Sequence, residues 1–225
     1  TWAWEKTCAF AEEARAIQVR RLADAVTAAT KRMDGPIAGV VLAGAGIRGG
    51  QVYGSSDRRA AYPATNPVSP PDIAAPGAPP FERPATTVAV FAGAFRSWHG
   101  AINLVRAIRA LGDRGRSDIG AVLIGDGPEL AAVQDAAAGL ANVVVTGAVP
   151  HADMPACLAA ADIGVAPFEI GAHRPLSLGF YWSPLKIFEY MAAGLPVVAP
   201  AVDRIPSLVA DGREGALYDP TQPDA

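Results

Sequence analysis

Short apolar runs alternate with amphipathic stretches over most of the second half of the chain. The apolar runs are TVAVFAG, IGAVLIG, NVVVTG, ADIGVAPF and PVVAP, and each has the length of a buried strand. Stretches with helical character separate them at 101–112, 128–140, 153–161 and 184–193. Alternation at this spacing predicts βαβ units and a parallel sheet with helices on both faces. The expected fold class is therefore α/β, with a Rossmann-like doubly wound sheet.

The beginning of the chain has a different pattern. Residues 5–22 predict a helix, and AVTAAT (25–30) reads as a short β-type run. Thr30 is placed to cap a second helix, but Asp34-Gly35-Pro36 would end that helix almost at once.

Residues 34–75 predict little regular structure. A strand-like run at 36–43 and a hairpin partner at 51–53 lie within a stretch rich in Gly, Pro, Ser and Asn. GAGIRG (44–49) matches the dinucleotide-binding pattern G-x-G-x-x-G, but no helix follows it and no acid lies about 20 residues further on. We therefore do not assign dinucleotide binding, and we expect this segment to pack poorly and to carry no ligand.

Composition narrows the classes of function. The chain is 51% hydrophobic and 18% charged, which is typical of a globular protein with a core. Its formal net charge of −3 and the absence of a basic stripe argue against nucleic acid as the main partner. The sequence does not begin with Met, and we expect it to be part of a longer protein.

The segment 181–200 carries the clearest chemistry. Ser183 is a good N-cap, Pro184 suits the first helical position, and a Gly and a Pro end the predicted helix. The free N–H groups of Leu185 and Lys186 would then meet the positive end of the helix dipole, which is an arrangement that binds phosphate. Lys186 adds a cation at the same end.

Glu189 is predicted to share a helix face with Lys186, because it lies three residues further along. Its carboxylate can accept two hydrogen bonds from vicinal hydroxyls such as those of a ribose. A capped surface helix with a Lys–Glu ion pair is the alternative.

The run SPLKIFEYMAAGLPVVA resembles the signature of family-four glycosyltransferases, which are retaining enzymes with two Rossmann-like domains, the GT-B fold. This resemblance implies that Glu189 contacts the donor ribose and that Ser183, Leu185 and Lys186 contact the diphosphate. The family often has a second glutamate eight residues earlier, and here that position is Tyr181.

The loop after the first predicted strand departs from the family pattern. Where the family has G-R-x-x-x-x-K-G, this chain begins with Gly93 but has Ala94 and His99 at the two cationic positions. Arg96, two residues late, would supply the missing cation, and His99 would contribute when protonated or as a neutral hydrogen-bond donor. The alternative is that Trp98 and His99 only hold the loop in place.

Two further loops resemble donor-binding loops of the family. LIGDGPEL places Gly125 and Gly127 in a turn that lies next to the donor in the family, although a simple turn between strand and helix is equally compatible. After the next strand, backbone atoms near Val149 would lie by the nucleotide base. Asp162 is expected to orient the strand that follows it.

Three regions are expected in the chain. Residues 76–225 resemble the nucleotide-sugar-binding domain, and residues 1–33 resemble the end of the other glycosyltransferase domain. Residues 34–75 occupy the place of the structure that should join them, and residues 38–75 resemble a segment of an uncharacterised sulfatase-related family. No sulfatase metal ligand or nucleophile lies in that segment, so no activity is carried over.

The resemblance implies transfer of a sugar, with retention, from a nucleotide diphosphate sugar to an unknown sugar or lipid acceptor. This chain would supply mainly the donor-binding half, with Lys186 and Arg96 acting on the leaving diphosphate. No metal or other cofactor is expected. A cytoplasmic location is expected, and peripheral contact with the inner membrane face through the rest of the protein is left open. An epimerase of the same fold and a non-catalytic nucleotide-binding fragment are the alternatives.

Overall fold

The computed structural model describes residues 16–30, 46–48, 51–53, 78–169 and 184–220, with the backbone alone for 46–48 and 51–53. The strands are β1 (Gly46–Arg48), β2 (Gln51–Tyr53), β3 (Thr87–Ala92), β4 (Ile119–Ile124), β5 (Val143–Gly147), β6 (Ile163–Val165), β7 (Val197–Pro200) and β8 (Gly215–Tyr218). The helices are α1 (16–30), α2 (Ala101–Asp113), α3 (Leu130–Ala137), α4 (Met154–Ala159), α5 (Leu185–Ala192) and α6 (Ile205–Leu208).

Strands β3 to β8 form one six-stranded parallel sheet in the order β5-β4-β3-β6-β7-β8. The chain moves outward from β3 to β5 and then crosses to the other side of β3 to begin β6. This reversal between β3 and β6 opens a crevice at the carboxyl ends of the strands, where open α/β sheets bind ligands. The predicted α/β, Rossmann-like sheet is confirmed.

The sheet separates two apolar cores because its side chains alternate between faces. In β3, Ala89 and Phe91 pack with α1 and α2, whereas Val88 and Val90 face the side that holds α4 and α5. Burial on both faces explains why the strands are almost continuously apolar in sequence. Before β6, Asp162 Oδ2 accepts a hydrogen bond from the amide of Val88 at 2.7 Å, which orients the strand as expected.

Helix α1 corrects one prediction from the sequence. Residues 25–30 are helical and not a β-type run, because the helix buries Leu22, Ala23, Val26 and Ala29 in the same core as β3 and α2. Packing of an apolar helix face outweighs the weak β preference of the Val and Thr residues. Residues 16–30 therefore share a core with the sheet that follows them, although their sequence resembles the other domain.

The hairpin of β1 and β2 is the described part of the segment 34–75. Gly46, Ile47 and Arg48 of the GAGIRG run pair in antiparallel fashion with residues 51–53, so the described residues that follow the glycines form a strand. Residues 51–53 form a strand as predicted, but their partner is 46–48, where no strand was predicted, and β2 lies beside α5. The strand expected at 36–43 lies outside the described residues.

Candidate functional site

A cavity of about 310 Å³ lies where the sheet order reverses. Its walls come from the end of β3, the loop that follows it, the end of the β6 segment and the first two turns of α5. The lining residues are Ala92, Gly93, His99, Phe168, Pro184, Leu185, Lys186 and Glu189. Five of the residues expected from the sequence to form the site therefore meet in one cavity, namely Gly93, His99, Leu185, Lys186 and Glu189.

Helix α5 begins at Leu185, one residue later than predicted, because Pro184 has a ψ of 69° and takes the N-cap position. Ser183, the predicted cap, lies outside the described residues. The amide of Ile187 donates to the carbonyl of Pro184 at 2.9 Å. The amides of Leu185 and Lys186 are the first of the helix, so no carbonyl within the helix accepts a hydrogen bond from them. This end of the helix suits an anion.

Lys186 lies across the floor of the cavity. Its side chain is buried, and Nζ lies 3.9 Å from the ring centroid of Phe91 and 5.1 Å from that of Phe168. Within the described part of the chain, Nζ has no hydrogen-bond partner. Burial lowers the pKa of Lys186 to about 7, and the nearby Glu189 opposes this shift. An anion in the cavity would supply the partner that the ammonium group lacks.

Gly93 allows this arrangement. It has a φ of +136°, which favours glycine, and a Cβ atom there would lie 3.5 Å from both Cε and Nζ of Lys186. The backbone of the loop can therefore approach the lysine closely, and no side chain at position 93 crowds the ammonium group.

Glu189 is half-buried on the same face of α5 as Lys186. Burial raises the pKa of its carboxyl group, while His151 and Lys186 favour the ionised form. His151 was not expected from the sequence. Its position shortly after β5, in the loop that contains Val149, gave the only sequence signal for it.

His99 does not supply the expected cation. Its Nδ1 lies 2.7 Å from the carbonyl oxygen of Ala94, and burial lowers the pKa of His99 to about 4, with a further contribution from the positive charge of Lys186. The imidazole is therefore neutral at pH 7. Because a carbonyl only accepts, the N–H of the ring is at Nδ1 and is used on Ala94. The expectation that His99 offers a cation or a donor to the ligand is corrected.

Arg96 and Val149 are not among the residues that line the cavity. The exposed guanidinium of Arg96 lies 5.4 Å from the ring centroid of Trp98, on the same loop as His99. Val149 packs against the core on the α5 side of the sheet. A role for either residue with a ligand stays a prediction.

The turn that contains Gly125 and Gly127 contacts the first loop through its backbone. The amide of Phe95 donates to the carbonyl of Asp126 at 2.8 Å, and the amide of Glu129 donates to Phe95 at 3.0 Å. A Cβ atom on Gly125 would lie 1.9 Å from the carbonyl oxygen of Gly93. The lack of side chains at Gly125 and Gly127 therefore lets this turn pack closely on the first loop, and direct contact of either glycine with a ligand stays a prediction.

Tyr190 fixes α5 to the split in the sheet, a role that the sequence did not indicate. Its hydroxyl accepts a hydrogen bond from the amide of Ala92 in β3 at 2.8 Å and donates to the carbonyl of Val165 in β6 at 3.3 Å. Its ring packs so closely on Gly164 that a Cβ atom there would lie 2.3 Å from it. The neighbouring Glu189 is thereby held at the edge of the crevice.

Two other kinds of feature are absent from the described residues. No group of three or more His, Cys, Asp or Glu side chains among them is arranged to hold a metal ion. None of the helices they form is long and apolar enough to cross a bilayer.

The six-stranded parallel sheet is Rossmann-like and matches one half of the GT-B fold. Residues 86–225 match the family model of the glycosyl transferases group 1, and the chain belongs to this family. The resemblance of residues 38–75 to a sulfatase-related family finds no support in the comparisons.

Individual relatives match only part of their own length. The GDP-mannose-dependent alpha-(1-6)-phosphatidylinositol monomannoside mannosyltransferase of Mycolicibacterium smegmatis is 33% identical over 125 residues, which are 54% of this chain and 32% of that protein. The crystal structure of TarM matches with a TM-score of 0.50 at 15% identity, over 66% of this chain and 28% of TarM. At that identity TarM shows the fold alone. The chain spans about a third of the length of the mannosyltransferase.

Proposed function

We propose that the full-length protein transfers a sugar from a nucleotide diphosphate sugar to an acceptor with retention of the anomeric configuration. This chain would contribute the donor-binding half. The observation that carries the proposal is the buried ammonium group of Lys186. It lies in the cavity at the N-terminus of α5 and has no hydrogen-bond partner among the described residues.

The cavity supports a division of roles along α5. The diphosphate would lie against Lys186 and the first amides of the helix, where Gly93 places no side chain beside the ammonium group. The ribose would lie further along the helix, with its hydroxyls on the carboxylate of Glu189. The base would extend toward the loop that contains Val149.

Charge explains how such a site would speed the reaction. The bond between the anomeric carbon and the diphosphate oxygen breaks, and the bond to the acceptor oxygen forms on the same face of the sugar. Negative charge grows on the leaving diphosphate, whose oxygen takes the proton that the acceptor hydroxyl loses. Fixed positive groups that face this charge lower the barrier, and such electrostatic stabilisation often contributes more to catalysis than any other effect. Lys186 and the start of α5 would supply it, with Arg96 close by on the loop.

The mannosyltransferase of Mycolicibacterium smegmatis suggests the first donor to try. That relative is GDP-mannose-dependent, and we propose GDP-mannose as the first member of a donor panel. The acceptor would be a sugar or a lipid recognised by the rest of the protein. A cytoplasmic location with peripheral contact at the inner membrane face is part of the same proposal.

The test is product analysis with the purified full-length protein, a panel of nucleotide sugars and sugar or lipid acceptors. Transfer with the anomeric configuration of the donor retained supports the proposal, and an inverted product contradicts the assignment of retention. A changed sugar in the absence of acceptor would instead identify an epimerase. Binding of donors without any turnover would leave a nucleotide-binding module.

A further inference from the structure

His99 offers a hydrogen-bond acceptor to the cavity. Its Nδ1 lies 2.7 Å from the carbonyl oxygen of Ala94, and that oxygen has no hydrogen to give. The hydrogen must therefore be on Nδ1, which leaves Nε2 of the neutral ring with a lone pair. Since His99 lines the cavity and Nε2 has no hydrogen bond within the described residues, Nε2 is the ring nitrogen available to a ligand.

The surroundings of His99 keep the ring in this state. Its centroid lies 5.7 Å from that of Trp98 and 6.2 Å from that of Phe168, and both contacts are edge-to-face. Turning the ring over would break the bond to Ala94. Lys186 adds a positive charge nearby, which disfavours a second proton on the imidazole. The cavity thus contains the amino group of Lys186, which can carry a positive charge, and the neutral acceptor Nε2 of His99.

These two groups suit different parts of a donor. An ionised phosphate has only acceptor oxygens, so it can accept hydrogen bonds from the ammonium group of Lys186. Beside Nε2 the same oxygens would face another lone pair, which is repulsive. A sugar hydroxyl can donate and matches Nε2. We propose that His99 is a specificity-determining residue that accepts a hydrogen bond from a hydroxyl of the transferred sugar. The proposal rests on the proposed donor-binding function of this cavity.

The test compares a nucleoside diphosphate with the ester that it forms with the sugar. GDP and GDP-mannose are titrated by calorimetry at pH 7.5 into full-length wild type, His99→Phe and His99→Gln, with a parallel UDP and UDP-glucose pair. Phe keeps an aromatic ring beside Phe168 but has no acceptor, whereas the amide oxygen of Gln restores one near the position of Nε2. His99→Phe should weaken binding of the nucleotide sugar roughly threefold to tenfold and change binding of the diphosphate less than twofold. His99→Gln should recover part of the loss.

A panel of donors that each lack one sugar hydroxyl sharpens the test. Wild type should discriminate against one member of the panel, and His99→Phe should bind that member as well as the complete donor. Equal weakening of nucleotide diphosphate and nucleotide sugar by His99→Phe would place the ring on the phosphate and overturn the inference. Unchanged affinity for both would overturn it too. Failure of wild type to bind any member of either pair would instead overturn the proposed function, and this inference with it.

Discussion

The two walls of the cavity differ in charge. The wall formed by α5 contains Lys186, Glu189 and the first amides of the helix, so its ionisable side chains lie within two turns of one element. The opposite wall, the loop from Gly93 to His99, lines the cavity with a glycine and a neutral imidazole. The one arginine of that loop, Arg96, lies over Trp98 and outside the cavity lining.

This difference suggests how the site divides its tasks. The helix wall would hold the anion, and the loop wall would shape the cavity and select the uncharged part of the ligand. Because Lys186 is the only cationic side chain among the described residues that line the cavity, anion binding should depend on its protonation. Changing one wall at a time would separate the two tasks.

Removing the charge of Lys186 should have the largest effect. Lys186→Met keeps most of the buried stem and should weaken binding of a nucleoside diphosphate by about 1.5–3 kcal/mol, or roughly 10–150-fold. Calorimetry of the full-length protein measures this. Arg213→Met, at a side chain that is 84% exposed, is the matched control and should bind like wild type. Unchanged affinity in Lys186→Met would show that the helix wall does not hold the anion.

The same lysine predicts two opposite dependences on pH. Its pKa is lowered to about 7 in the free protein, and a bound diphosphate should raise it again. Affinity should therefore fall as the pH rises from 7.5 to 9, by up to about tenfold per pH unit, while the phosphate itself stays ionised. Stability of the ligand-free protein should rise over the same range, because the unfolded chain holds this proton up to about pH 10.5 and the folded chain does not.

Calorimetry and thermal unfolding at several pH values measure these two trends. Both should be absent in Lys186→Met. His99 does not interfere, because its lowered pKa of about 4 makes its own contribution to stability rise between about pH 4 and 6.5, below the range of the experiment. An affinity that is flat across pH 7.5 to 9 in wild type would contradict the assignment of the binding cation to Lys186.

The sequence predicted the helix wall well because its signals are local. Lys186 and Glu189 are three residues apart, so their shared face follows from helix geometry alone. The sheet was also predictable, since each of its strands is a separate apolar run. Even here α5 begins one residue later than predicted, because Pro184 occupies the N-cap position.

The loop wall and α1 depended on contacts that sequence spacing does not contain. The neutral state of His99 follows from a bond to a carbonyl five residues away and from burial beside a helix that is distant in sequence. In the sequence, Tyr190 is one more apolar residue of the helix, and only the structure shows that its hydroxyl bonds to both β3 and β6. Residues 25–30 became helical because their apolar side chains are buried against the sheet.

A smaller effect should separate the two ends of the helix wall. If Glu189 holds the ribose, Glu189→Gln should weaken nucleoside diphosphate binding by about 1 kcal/mol, or roughly fivefold, and leave pyrophosphate binding unchanged. The amide keeps the size of the side chain and loses its charge. Paired titrations with the two ligands measure the difference. Equal loss for both would mean that Glu189 supports the helix or Lys186 and does not contact the ribose.

The smallest effect is expected from the segment 34–75, whose described hairpin contacts the helix wall through β2. Strand β2 lies beside α5, but the six-stranded sheet is built from residues 87–218, and α1 completes one of its cores without the hairpin. The deletion shortens the Gly- and Pro-rich connection between α1 and β3. The entropy of loop closure depends only weakly on the length of such a connection. Deletion of 34–75 should therefore change the free energy of unfolding by no more than about 0.5 kcal/mol, as surface changes commonly do, and nucleoside diphosphate affinity by less than about twofold. Thermal unfolding and calorimetry of the shortened chain measure both.

A chain that unfolds would make the segment an integral part of the fold. A folded chain with weakened diphosphate binding would show that the hairpin holds α5 in its binding position.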